Sequence, residues 1–284
     1  MRKKSDIVIF ILLILVLNSR AFSESKKVHF SIDDVSYVLE DITINQEKYD
    51  SLFDQSFFHY LKELHDNYGT ICTLYCFYEL NGFTLNSVTI KYRDEFFANS
   101  EWLKFGYHSY NKDYTFIGGG YSKFMDEIIR ITGSKKSLCQ TCRLERFKGE
   151  QQEIFDNSSY VIDGGIGVLL CADSPERKSY YLNSKQQILL NENEKIISDS
   201  IIFCSTDFRF DNYKAFKALF SQNKGENELI VFTHEWILNP TFRRNLFKYF
   251  VTVNKKWRVK KTINTFMNYC VKENYEFVSD LGEF

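Results

Sequence analysis

Val28-His29-Phe30-Ser31-Ile32-Asp33-Asp34-Val35 is a strand-like run that stops at two adjacent acids. Two neighbouring carboxylates cannot both be buried without a cation or a strong donor beside them. A strand tip that delivers both therefore predicts a site where one acid holds a metal and the other handles a proton. Leu229-Ile230-Val231-Phe232-Thr233-His234 repeats the design, a strand that stops at a histidine. Trp102-Leu103-Lys104-Phe105-Gly106-Tyr107-His108 does so again. Three strands ending in Asp, His and His predict one site at one end of one sheet.

Working outward from these strands, helical and strand patterns alternate along the chain. Phe57, Leu61, Leu64 and Tyr68 mark one face of a helix closed by Gly69, and strand Ile71–Tyr78 follows. A short helix is expected near Asp94–Asn99, before the strand that ends at His108. Gly118-Gly119-Gly120 opens a helix with Tyr121, Phe124, Met125 and Ile128 on one face, closed by Gly133. A strand over Thr141–Phe147, a buried strand over Val168–Cys171 and a hairpin over Lys178–Leu190 are expected next. Helix Asn212–Ser221 then leads into the strand ending at His234. Phe242, Leu246, Tyr249 and Phe250 mark one further helical face, and Val259, Ile263, Phe266, Met267 and Cys270 another. The pattern closes on strand Tyr275–Val278. Alternating β and α elements imply a mainly parallel sheet with helices outside it, and chemistry at the strand C-termini fits a (β/α) barrel. No GxGxxG follows the first strand, and the glycines at 118–120 do not follow the Walker pattern, so nucleotide binding is not expected.

The 284 residues suit one large domain, and 44% hydrophobic residues provide for a sizeable core. A formal net charge of −1 gives no sign of nucleic-acid binding. Residues 1–23 read as a secretory signal, with basic Arg2, Lys3 and Lys4, an apolar run from Ile7 to Leu17, and Ala21-Phe22-Ser23 before the cleavage point. The mature domain is then 24–284, in a secreted or cell-envelope location. The one membrane contact expected is through that N-terminal segment, should it stay uncleaved. Seven cysteines are an odd count for a disulfide framework. Cys72 and Cys76, four apart on a strand, lie ~13 Å apart, too far for a disulfide, and read as core thiols. Cys139-x-x-Cys142 lacks the second pair a zinc knuckle needs and reads as a structural thiol pair or a local disulfide.

Four segments taken in order resemble the polysaccharide deacetylases (the chitin-oligosaccharide deacetylase homology domain). Phe30-Ser31-Ile32-Asp33-Asp34-Val35 is similar to the family's Thr-Phe-Asp-Asp-Gly motif, and Gly106-Tyr107-His108-Ser109 to the start of its His-Ser/Thr-x-x-His motif. Arg143 falls where the arginine-bearing motif would, and Val231-Phe232-Thr233-His234 is similar to the closing Leu-x-Leu-His motif. The resemblance implies a distorted (β/α)7-type barrel holding one divalent metal, usually zinc, that acts on a polysaccharide or oligosaccharide. It implies Asp33 as general base, Asp34 and His108 as metal ligands, Arg143 as the residue orienting Asp33, and His234 as general acid. The expected reaction removes N- or O-acetyl groups from a glycan with a metal-activated water.

The departures are specific. Lys112 stands where the family has its second metal-binding histidine, and an ammonium cannot ligate. Asp113, one residue on, is the substitute oxygen ligand. Val35 replaces the glycine after the two acids, and Glu145 stands where a proline or histidine often follows the arginine. No tryptophan-bearing motif is evident, although Tyr180 and Tyr181 are placed to line a cleft. A second reading follows from Lys112: a barrel without catalysis that binds carbohydrate or a protein partner. A third is a glycosidase pairing Asp33 with Glu145 or Glu235, which needs carboxyl separations of about 5 Å or roughly 6.5–9.5 Å. A zincin is excluded, since the position four after His234 is Leu238.

Overall fold

The computed structural model describes residues 26–113, 119–148, 167–173, 177, 179–180, 182–198, 201–240 and 246–281. The secretory signal expected over 1–23, Tyr181 and Phe242 lie outside the described residues. No helix among them is long and apolar enough to cross a membrane.

The strands are β1 (Lys27–Val35), β2 (Cys72–Phe77), the two-residue hairpin arms β3 (Glu79–Leu80) and β4 (Phe83–Thr84), β5 (Leu103–Ser109), β6 (Thr141–Cys142), β7 (Gly167–Leu170), β8 (Lys195–Ser198), β9 (Ile201–Cys204), β10 (Phe208–Arg209), β11 (Glu228–His234) and β12 (Glu276–Phe277). The helices are α1 (Tyr37–Ile44), α2 (Ser56–Tyr68), α3 (Arg93–Ala98), α4 (Gly120–Thr132), α5 (Ser184–Asn193), α6 (Phe216–Gln222), α7 (Glu235–Leu238) and α8 (Leu246–Lys272). The main sheet runs β10-β11-β1-β2-β5, with β12 against the start of β1, and every pairing in it is parallel. A second sheet runs β6-β7-β9-β8 and is parallel except for the β8–β9 pair. The protein is thus a mixed α/β fold with a largely parallel central sheet.

Every residue of β2 and β5 is buried, as expected of parallel strands covered on both faces. The predicted helical faces supply the cover. Phe57, Leu61 and Leu64 of α2, Phe124, Met125 and Ile128 of α4, and Val259, Ile263, Phe266, Met267 and Cys270 of α8 all lie in one core. Gly69 and Gly133 close α2 and α4 in the left-handed region, at φ 69° and 72°. Gly106 has a different purpose. A Cβ there would stand 2.4 Å from the Tyr75 ring, so only glycine lets that ring lie across β5.

The sheets meet beyond β5. Cys139 N–H donates to Phe105 O (2.9 Å) and Arg143 N–H to Tyr107 O (3.3 Å), so the chain around β6 follows the free edge of β5. At the other side β9 continues through three residues into β10, which pairs with β11.

Several elements differ from the sequence expectations. The strand expected over Thr141–Phe147 stops after Cys142 and gives way to a 3-10 turn, Glu145–Phe147, in which Arg146 and Phe147 have φ of 53° and 57°. The hairpin expected over Lys178–Leu190 is instead occupied from Ser184 by α5. Asn183 and Gln186 form a capping box there, accepting and returning the first orphan N–H bonds of the helix. The helix expected over Asn212–Ser221 is split into a 3-10 turn, Phe210–Asn212, and α6. All seven cysteines are free and buried, so Cys139 and Cys142 are structural thiols rather than a disulfide. The Cys139 thiol contacts Ser279 O at 3.1 Å, near the C-terminal end of the described chain.

Candidate metal and acid–base site

Five strand ends converge on one region. In the β1–β11 ladder Asp33 lies opposite His234, which sets both first-predicted termini at the same level. The register between β1 and β2 shifts between Ile32 and Val35. Asp34 sits in that irregularity with φ 63°, a left-handed conformation that Asp tolerates better than most residues. A bulge of this kind re-aims a side chain that strict alternation would send to the opposite face. Both acids of the pair consequently serve one site.

Asp34, His108 and Glu145 form the first half. His108 Nε2 is 3.4 Å from Asp34 Oδ1 and 3.3 Å from Glu145 Oε2. One ligand atom from each of the three falls within 4.8 Å of the others. His108 is 3% exposed, and its Nε2 has no hydrogen-bond partner among the described residues. Its Nδ1 is engaged with Arg143 O at 2.5 Å. A carbonyl can only accept, so Nδ1–H is fixed on Arg143 O and Nε2 is the nitrogen aimed at the two carboxylates. Nε2 is protonated when no ion is bound and able to ligate once an ion displaces that proton. Burial disfavours the charged ring, but the adjoining Asp34 and Glu145 outweigh it and raise the His108 pKa to about 10. For Asp34, burial is likewise outweighed by His108, and its pKa falls to about 2.

This donor set fits a divalent ion. A tetrahedral site with bonds of ~2.0–2.1 Å has ligand atoms roughly 3.3–3.4 Å apart, the separations seen around Nε2. Two half-buried carboxylates and a buried imidazole whose Nε2 lacks a hydrogen-bond partner leave a position that calls for positive charge. Asp34, His108 and Glu145 can therefore hold a metal ion.

Asp33, Arg143, His234 and Asp211 form the second half. Asp33 is buried, and burial raises its pKa against the opposing charges of Arg143, His108 and His234. Arg143 Nε lies 3.6 Å from Asp33 Oδ1, and its guanidinium is 4.1 Å above the Phe232 ring. With Arg143 only 1% exposed, this aromatic face and Asp33 hold its charge in place. His234 Nδ1–H donates to Asp211 Oδ2 at 2.6 Å, while Asp211 Oδ1 accepts from Thr233 Oγ1 at 3.1 Å. Burial works against a charged His234, but the bond and charge of Asp211 prevail and its pKa is raised. Nε2 is then the nitrogen left to deliver a proton.

Glu235 has a different task. Fully buried, its Oε2 accepts from Ser36 N (2.8 Å) and Tyr37 N (3.0 Å), and its Oε1 from Asn239 Nδ2 (3.0 Å). It caps the N-terminus of α1 and ties the exit of β1 to the exit of β11. Its oxygens are committed to that cap, which removes Glu235 from the paired-carboxylate reading. Lys112 and Asp113 are both exposed on the turn after β5. The Asp113 N–H bonds to Asn111 Oδ1, and the position expected of Asp113 in the ligand set is taken by Glu145. Lys112 stays outside the cluster, although its charge helps to keep Asp34 ionised.

The sequence reading missed two members. Asp211 is an acid close to the end of a strand, as Asp33 is, but β10 is only Phe208–Arg209, too short and too mixed in polarity for a periodicity search. Glu145 was visible as a departure two residues after Arg143. Its approach to His108 depends on the chain leaving the ladder after Cys142, where its N–H finds Ser109 Oγ at 3.3 Å. The chain matches no known family model and no curated protein sequence.

Proposed function

We propose that the protein is an exported metal-dependent hydrolase that removes N- or O-acetyl groups from a glycan, on a distorted (β/α)7-type barrel made by the two sheets together. The observation that carries this reading is the side-by-side placement of a three-ligand cluster and two separate proton-handling groups at one end of a parallel sheet. Asp34, His108 and Glu145 would hold the ion, with zinc favoured by the nitrogen and oxygen donors and the three-residue count. A divalent ion there supplies Lewis-acid polarisation of an acyl carbonyl and lowers the pKa of water.

The chain's own residues divide the remaining work. Asp33, with a pKa raised by burial, is the base that takes a proton from the attacking water. Arg143 fixes the Asp33 carboxylate and limits how far that pKa rises. His234 enters protonated because of Asp211 and gives its proton to the departing amine or alcohol. Tyr180, whose hydroxyl bonds to Leu170 O, belongs to the wall behind Arg143 rather than to these steps. Exposure of Lys112 removes the motive for a non-catalytic carbohydrate-binding reading, since the ammonium does not occupy the ligand position.

The test is metal content of the purified protein beside Asp34→Ala, with acetate release from acetylated chitin and xylan oligomers. Near-stoichiometric metal and acetate release, both lost in the variant, are expected. Unchanged metal content and activity in Asp34→Ala would sink the assignment.

A further inference from the structure

Beside the acid–base pair lies a cavity of about 420 Å³ lined by the run from Asp211 to Lys214 and by Asn254, Lys255 and Arg258. That volume is within the range of small-ligand sites, ~300–1,000 Å³. Three of its lining residues are cations and one is an acid. The acid, Asp211, is already bound to His234 and Thr233. Two of the cations contact aromatic groups. Arg258 Nη1 donates to Tyr213 OH at 3.1 Å, and Lys255 Nζ lies 5.7 Å over the Trp236 ring. No salt bridge among the described residues reaches Lys214, Lys255 or Arg258.

The surrounding helix accentuates this. Helix α8 carries seven Lys or Arg and no acid over 27 residues, in a chain whose formal net charge is −1. Two of those seven, Lys255 and Arg258, line the cavity, and Lys214 joins them from the segment before α6. The charge of Lys255 helps to keep Asp211 ionised, but three cations against one carboxylate, with no salt bridge among the described residues, favour an anionic ligand over a neutral one.

We propose that this cavity holds a carboxylate, phosphate or sulfate group of the substrate, making the substrate an anionic acetylated glycan. The assignment rests on the hydrolase reading above for the word substrate, and on the cavity alone for the anion. Asp211 both lines the cavity and bonds to His234, which sets the cavity next to the residue assigned to the leaving group. A neutral glycan would leave all three unused.

Binding by titration calorimetry separates the two readings. The probes are an acetylated oligogalacturonate, a neutral acetylated chitin oligomer of equal length, inorganic sulfate and a single-stranded oligonucleotide. The oligogalacturonate is expected to bind at least ~10-fold more tightly than the neutral oligomer and to weaken as salt rises. The Lys214→Glu/Arg258→Glu variant, altered at two exposed positions, should abolish that preference, and Lys214→Arg/Arg258→Lys should keep it. Equal binding of charged and neutral oligomers overturns the proposal. So does sulfate or the oligonucleotide matching the oligogalacturonate, which would make this a small-anion or nucleic-acid site. Acetate release at equal rates from both glycans leaves the hydrolase standing and removes this inference. Anion-selective glycan binding with no acetate release from either glycan does the reverse, leaving the anion site and removing the hydrolase.

Discussion

His108, which is buried, and His234, which is half-buried, lie at the ends of two parallel strands of one sheet and both face carboxylates, yet their Nδ1 partners give them opposite chemistry. His108 donates Nδ1–H to a neutral carbonyl, Arg143 O, and turns Nε2 toward Asp34 and Glu145. His234 donates Nδ1–H to an ionised carboxylate, Asp211 Oδ2. A carbonyl partner fixes a tautomer and leaves Nε2 free to ligate. A carboxylate partner stabilises the imidazolium and so favours a proton carrier. One residue type thus becomes ligand or acid through the group behind it.

The largest expected effect comes from breaking the ligand side. His108→Ala should lower metal affinity by at least ~100-fold, the upper end of what loss of a mere supporting residue costs, and activity should vanish with the metal. Metal analysis after dialysis checks it, and full metal retention would contradict the ligand assignment. Breaking the acid side should separate the two properties. His234→Asn should keep the metal while kcat falls roughly 10²–10⁴-fold, the usual contribution of a positioned acid. Metal loss in that variant would mean that the two halves are not distinct.

Asp211→Asn sharpens the contrast with a smaller effect, about 10–100-fold in rate. His234 must be protonated to act, so activity should fall as pH rises through its folded pKa. That pKa is raised by Asp211 against burial. Without the carboxylate, burial is less opposed and the pKa drops. The alkaline limb of the pH–rate profile should then move to lower pH. An unmoved limb would show that another group limits the rate there.

The sequence was legible where side chains repeat and opaque where the backbone departs from a ladder. The helical faces of α2, α4 and α8 are covered by packing against the sheet, so their periodicity predicted them correctly. Asp33, Asp34, His108 and His234 announced themselves by interrupting apolar runs. Glu145 and Asp211 did not, since each follows a strand of two residues, too short to establish a pattern. The choice of Asp113 for the third ligand followed sequence spacing from His108. The fold uses proximity instead, bringing a residue 37 positions later to within 3.3 Å. The approach of the second sheet to the first is likewise absent from any local pattern, because it depends on the chain around β6 following the free edge of β5.

The smallest expected effect is on stability, and its sign follows from the same pair of histidines. In the metal-free protein the His108 pKa is about 10, against 6.5 for an unperturbed ring. A raised folded-state value contributes stability that is complete below the unfolded pKa and is lost as pH rises through the folded one. Metal-free protein should therefore lose stability steadily between about pH 6.5 and pH 10. His234 also has a raised value and adds to that loss. A bound ion takes the place of the His108 proton, so metal-loaded protein keeps only the His234 part, and metal affinity rises with pH as the proton becomes easier to displace. Melting temperatures measured from pH 6 to pH 10 should fall more steeply without metal than with it. His108→Asn should flatten the metal-free curve, whereas His234→Asn should flatten the curves with and without metal alike. Parallel curves with and without metal would place the ion away from His108 and remove the distinction between the two histidines.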